Sequence, residues 1–260
     1  MNQKTGFSTL PPVRGSLSYF LASAWGHYLA MERLCRRYNR TLPGLRSGCY
    51  GCAPTAEGVL RTFREEQLAA PGTILDIGAN RGQQVRLLRF AWPGAFLASL
   101  EPNPALNPPG LRFQLGLSDV DGYGYFWMPG KDFHKAAVFT GRTAPGNSEK
   151  VEVARLDTLV RHDRLLWENL PRPMFAKIDV EGSEERVIRG FGTLMSGVDY
   201  VLVEVGGGAE NLTKSVALLH NLGFDQAKVV YAPTWNGPGE PEFLDVLFWK
   251  DAVKPKGEIR

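Results

Sequence analysis

Apolar positions along the chain fall into two rhythms. Short runs at 74–77, 96–100, 111–117, 174–180 and 200–205 have strand character, and Ile74, Leu75 and Ile77 suit a strand buried on both faces, as in a parallel sheet. Between these runs the apolar residues recur at helical spacing: Val85, Leu88 and Ala91, then Val187, Ile188 and Phe191, then Leu212, Val216 and Leu219. Ser183 is placed to cap the middle helix. Strands alternating with helices predict a parallel α/β sheet. The end of the chain differs, because 228–231 and 243–249 flank a Pro/Gly-rich loop at 233–241 and read as a long hairpin. Residues 123–150 read as a β-rich insertion whose tip, 130–137, carries His134. Val151 to Ala154 alternate as one more short strand, and Leu156 and Leu159 begin a helix.

Upstream of the first strand the pattern is helical. Residues 1–15 form an irregular leader with Pro11, Pro12 and Gly15. Leu17, Phe20, Leu21, Ala24, Trp25, Tyr28 and Leu29 then share one stripe, followed by Arg33, Arg36, Arg37 and Arg40, where the macrodipole favours positive charge. Such a helix docks on the main domain, or else serves as an acceptor-binding lid or a peripheral membrane helix. A turn-rich break covers 42–54, and Thr55 is placed to cap a second helix with Val59, Leu60 and Phe63. The predicted organisation is an N-terminal helical extension over 1–70, a main domain over 71–250 containing the insertion, and a tail over 251–260.

Composition narrows the class. The chain has 260 residues, 43% hydrophobic and 22% charged, enough to bury a full core. A net charge of +3 is too small to mark a dedicated nucleic-acid binder. No run approaches the ~18 apolar residues of a spanning helix, and the start lacks the order of a signal peptide. Three cysteines, Cys35, Cys49 and Cys52, cannot all pair, which argues for free thiols in a reducing, cytoplasmic setting. A zinc site at Cys49 and Cys52 would have to recruit Cys35 and His27.

The candidate chemistry begins at the turn after the first strand. Asp76, Gly78, Asn80 and Gly82 make a D-x-G-x-x-x-G spacing, not the G-x-G-x-x-G of a dinucleotide site. Asp76 would be badly placed beside a pyrophosphate. It suits a cation, and S-adenosylmethionine carries a positive amino group and sulfonium, with a carboxylate for the free N–H groups of the following helix. Glu101 closes the next strand, about twenty residues on, where an acid can chelate ribose hydroxyls. Ser118 and Asp119 at the third strand end either accept from the adenine amine or simply make a turn. With Asp179 and Glu204, five predicted strands end in acids, and in open α/β sheets such ends converge on one mouth. Lys177 and Asp179 alternate by two, so they share a face. His134 is an exposed loop histidine with an accessible pKa, a second catalytic candidate or a solvated residue.

These residues resemble a known family. Asp76-Ile77-Gly78-Ala79-Asn80 with Gly82, Glu101-Pro102-Asn103-Pro104, Leu117-Ser118-Asp119, Leu156-Asp157-Thr158-Leu159 and above all Lys177-Ile178-Asp179-Val180-Glu181-Gly182-Ser183-Glu184 are similar to the FkbM-type S-adenosylmethionine-dependent methyltransferases. The resemblance implies a Rossmann-like class I methyltransferase fold, with a mostly parallel seven-stranded sheet, helices on both faces and an antiparallel last strand. It also implies O-methylation of a sugar, glycolipid or related secondary metabolite. A hydroxyl needs a base or a metal to lose its proton. Asp179 is the expected base, oriented by Lys177, unless the two form only a structural pair. Asp179, Glu181 and Glu204 are alternatively ligands for Mg²⁺. Two rival functions stay open: an RNA ribose 2′-O-methyltransferase, disfavoured by Arg186 and Arg189 where a lysine is wanted and by the lack of a basic, aromatic-interleaved path, and a non-catalytic binding protein on the same fold.

Overall fold

The computed structural model describes residues 52–127, 137–139, 146, 148–206, 208–232 and 243–253. The predicted N-terminal helix, Cys35, Cys49, His134 and the 233–241 loop lie outside them. Strands β1 (Thr73–Ile77), β2 (Phe96–Leu100) and β3 (Leu111–Phe113) come first. Strands β4 (Gly116–Leu117), β5 (Gly122–Trp127), β6 (Ala137–Phe139) and β7 (Glu149–Ala154) follow, then β8 (Met174–Ile178), β9 (Tyr200–Gly206), β10 (Gln226–Tyr231) and β11 (Phe243–Trp249). The helices are α1 (Cys52–Glu65), α2 (Gln83–Ala91), α3 (Leu156–Arg161), α4 (Glu184–Gly190) and α5 (Gly208–Asn221).

Seven strands form the main sheet in the order β10-β11-β9-β8-β1-β2-β3. All neighbours pair in parallel except β11, which runs antiparallel to both β9 and β10. The sheet divides the apolar residues of each strand between two cores. Ile74, Phe175, Tyr200, Leu202 and Leu247 face Val59 and Phe63 of α1 and Val85 and Leu88 of α2. Leu75, Ile77, Ala176, Ile178 and Val203 face the other way, toward Val187 and Ile188 of α4 and Leu212 and Leu219 of α5. Burial on both faces is why these runs read as continuous apolar stretches. Each large aliphatic side chain or phenylalanine among them contributes about 1.5–3 kcal/mol of transfer free energy.

Two local expectations are corrected. The predicted strand at 111–117 is cut in two: β3 pairs with β2 in the main sheet, whereas β4 joins a second, four-stranded sheet in the order β4-β7-β5-β6. The sequence alternates Leu111, Phe113, Leu115 and Leu117 without a break, so it gives no sign of this switch, although β3 lies at the sheet edge with Leu111 exposed and β4 is buried. Thr55 is no helix cap, since α1 starts at Cys52 and the Thr55 hydroxyl lies inside the protein. Helix α1 seats closely on the sheet, for a β-carbon at Gly58 would fall 2.2 Å from the Val230 carbonyl oxygen of β10.

Cys52 is disulfide-bonded, so the expected free thiol is not present at this position and the argument it gave for a reducing compartment lapses. Among the described residues no helix is long and apolar enough to cross a membrane.

Candidate functional site

Strand register sets the site. Asp76 of β1 lies opposite Lys177 of β8, and Glu204 of β9 lies opposite Asp245 of β11. Because alternate residues share a face, and Ile74, Phe175, Leu202 and Leu247 all belong to the core beside α1 and α2, these four charged side chains form one row on that face, at the carboxyl edge of the parallel strands.

Lys177 is the hub. Its side chain is 5% exposed, and Nζ stands 3.2 Å from Asp76 Oδ1 and 3.2 Å from Asp179 Oδ2. It also donates to the Gly78 carbonyl at 3.1 Å. Burial opposes its charge, but Asp179 and Asp76 together raise its pKa above the usual lysine value. It is an ammonium ion locked between two acids. Burial likewise raises the carboxyl of Asp76, against the pull of Lys177.

The glycine turn after β1 is left-handed at Gly78, Asn80 and Gly82, with φ of 71°, 50° and 70°. A β-carbon at Gly78 would also meet the Asp179 carbonyl oxygen at 1.8 Å. The close approach that this glycine permits is therefore made by the turn after β8. Glu101 holds the same loop from the other side, its Oε2 accepting from the Asn80 N–H at 2.7 Å and its Oε1 from the Asn103 N–H at 2.9 Å. Burial raises the Glu101 pKa and these two amides pull it back. Each carboxylate oxygen has two lone pairs, so both keep one for an incoming hydroxyl.

Asp179 reaches the rim, its side chain 33% exposed. Oxygens of Asp179, Glu181 and Glu204 lie within 4.8 Å of one another, so the three residues nominated from sequence do come together. Oxygen donors of this kind fit a hard cation. Glu204 is pushed up to about 10 by burial and by the nearby charges of Asp179, Asp245 and Glu181, which favours its protonated form. Beside it a cavity of about 450 Å³ opens between the end of β9, the start of α4 and α5, lined by Glu181, Glu184, Glu204, Lys214, Leu218 and Phe243 among others.

Ser118 and Asp119 sit apart from this row. Ser118 Oγ lies 3.2 Å from Asp119 Oδ1, Arg186 is 3.5 Å from the same oxygen, and Arg155 donates to the Asp119 carbonyl at 3.0 Å. Ser183 holds the N-cap position of α4, but its hydroxyl donates to the Val138 carbonyl at 3.3 Å instead of capping the helix.

Asp245 was missed from sequence. It is 4% exposed, accepts from Thr55 Oγ1, and is pushed up to about 7, chiefly by burial. The signal was present: an acid inside the apolar run Phe243-Leu244-Asp245-Val246-Leu247 needs a reason.

A seven-stranded sheet with one antiparallel strand, a glycine turn after β1 and an acid closing β2 make up the class I methyltransferase fold. Residues 76–225 match the family described as Methyltransferase FkbM domain, and the chain belongs to that family. No curated protein matches it in sequence. Among solved structures it is similar to a precorrin-6y C5,15-methyltransferase from Geobacter metallireducens, at 15% identity and a TM-score of 0.38, over 80% of this chain and 91% of that one. The plantazolicin methyltransferase BpumL in complex with a triazolic desmethylPZN analog and SAH aligns at 12% identity and a TM-score of 0.43, over 89% and 95%. Human N-acetylserotonin methyltransferase in complex with SAM aligns at 10% identity and a TM-score of 0.35, over 92% and 60%.

Proposed function

We propose that the protein transfers the methyl group of S-adenosylmethionine to a hydroxyl of a sugar, glycolipid or related secondary metabolite, with Asp179 as the general base. The observation that carries this reading is the placement of Asp179: partly exposed, gripped by Lys177 at 3.2 Å, and backed through that lysine onto Asp76 of the glycine turn. S-adenosylmethionine supplies an electrophilic methyl whose leaving group is a neutral thioether, so no acid is needed at that end. The chain's own task is alignment and proton removal. Glu101 offers lone pairs to the ribose hydroxyls, the N–H groups opening α2 receive the donor carboxylate, and Asp76 favours its positive charge.

On the acceptor side, the cavity beside Glu204 holds the hydroxyl-bearing molecule. Asp179 takes the proton as the C–O bond forms, while Lys177 fixes the carboxylate's orientation. Protonated Glu204 is a hydrogen-bond donor at neutral pH and not a competing base. Magnesium held by Asp179, Glu181 and Glu204 is the second reading, favoured by the spacing of their oxygens. There the cation would lower the hydroxyl's pKa.

Methyl-labelled S-adenosylmethionine incubated with separate pools of saccharides, glycolipids and RNA tests both readings. Label enters the saccharide or glycolipid pool, and Asp179→Asn keeps cofactor affinity while slowing transfer by about 10²–10⁴-fold, the usual scale of a general base. Label in RNA alone overturns the acceptor class, and an unchanged rate in Asp179→Asn overturns the base. Loss of transfer on chelation, restored by magnesium, would favour the metal reading.

A further inference from the structure

We infer that Asp245, held in place by Thr55, is a positioning residue for Glu204, so that helix α1 and the last strand complete the acceptor side of the site. The inference rests on the methyl-transfer reading for what Glu204 does, and on geometry alone for how it is held. Both Thr55 and Asp245 lie outside the matched region 76–225. They nonetheless close one end of the row: Thr55 is 0% and Asp245 4% exposed, and the Thr55 hydroxyl donates to Asp245 Oδ2 across 190 residues of sequence.

Asp245 faces Glu204 directly across the β9–β11 pair, and such opposed side chains stand about 4.5–5.5 Å apart at their β-carbons. With one oxygen held by Thr55, the Asp245 carboxyl cannot swing, and it presents a fixed wall to Glu204. Glu204 is thereby confined to the side where its oxygen lies within 4.8 Å of those of Asp179 and Glu181. Helix α1 is a rigid mount for the hydroxyl, because Gly58, one turn on, is pressed against the Val230 carbonyl of β10.

Stability gives no reason for the pair. Burying an acid is costly even when one oxygen is hydrogen-bonded, and well-packed apolar residues of similar volume often serve the fold as well. The neighbours of Asp245 on β11 that face the same core, Leu247 and Trp249, are apolar. The polar pair appears only at the edge where Glu204 stands.

Thr55→Val, which keeps the shape and removes the hydroxyl, is compared with Thr55→Ser, which keeps the hydroxyl. The carbon-13 carboxyl resonance of Glu204, assigned by its loss in Glu204→Gln, moves in Thr55→Val and returns in Thr55→Ser. With methyl-labelled S-adenosylmethionine and the saccharide and glycolipid pool, Thr55→Val lowers the transfer rate at saturating donor by about tenfold, the scale of one lost buried hydrogen bond. Thr55→Ser recovers it, and calorimetric affinity for S-adenosylhomocysteine is the same in all three. A Glu204 resonance unmoved in Thr55→Val overturns the inference whether or not any pool accepts label, as does a Thr55→Ser protein no better than Thr55→Val. Wild-type protein that does not bind S-adenosylhomocysteine would instead sink the methyl-transfer reading and leave the resonance test standing.

Discussion

Lys177 carries more of the site than any other single residue. It pairs with two carboxylates at once and ties the turn after β1 to the turn after β8 through the Gly78 carbonyl. Lys177→Met should lower unfolding free energy by about 3–5 kcal/mol, because both acids are left near one another without a counter-charge. Urea titration at neutral pH checks it; a loss under about 1 kcal/mol would mean that the cluster finds its counter-charge elsewhere. Half of this arrangement was legible in the sequence. Lys177 and Asp179 alternate along one strand, which puts them on one face. The contact between Lys177 and Asp76 was not, since it depends on the register of strands a hundred residues apart, and register is fixed only when the whole apolar pattern is docked. The same holds for Glu204 opposite Asp245.

Among the elements, helix α1 shows where local reading succeeds and where it stops. Its apolar stripe of Val59, Leu60 and Phe63 was plain in the sequence, and so was its place before the first strand. That it reaches into the site was not, because Thr55 reads as an ordinary cap until β11 is seen beside it. Phe63 anchors the helix, its ring centroid 4.8 Å from that of Trp92, 4.7 Å from Tyr200 and 6.2 Å from Phe175. Phe63→Ala should cost about 3–5 kcal/mol in guanidinium unfolding, the range for emptying a buried aromatic site. An effect below about 1 kcal/mol would show that α1 is not part of the cooperative core. The parallel strands themselves were readable because burial on both faces leaves continuous apolar runs. The division of 111–117 between two sheets was invisible because Leu111, Phe113, Leu115 and Leu117 keep one unbroken alternation across it.

For the molecule as a whole, the concentration of acid at one edge makes stability depend on pH in an unusual direction. Burial and the neighbouring acids push Glu204 up to about 10 and Asp245 up to about 7 in the folded protein, whereas free carboxyls titrate near 4. Between those values the folded state binds more protons than the unfolded chain, so stability is full below the unfolded carboxyl pKa and is lost as pH rises toward the folded values. The thermal midpoint should therefore fall between pH 5 and pH 9, and Glu204→Gln, which needs no proton, should flatten the fall. A midpoint that rises over this interval, or an equal slope in Glu204→Gln, would remove Glu204 as its source.

The backbone oxygen of Asp179 rests against the α-carbon of Gly78, with no space for even a methyl group between them. On the methyl-transfer reading proposed above, the seat of one reactant is thus the back wall of the seat of the other. Whatever stiffens the first bend stiffens the second, and by thermodynamic reciprocity each molecule alters the affinity of its companion by the same factor. Cooperation between the two reactants then runs through main-chain packing as well as through the Lys177 side chain, and any residue larger than glycine at position 78 would disturb it.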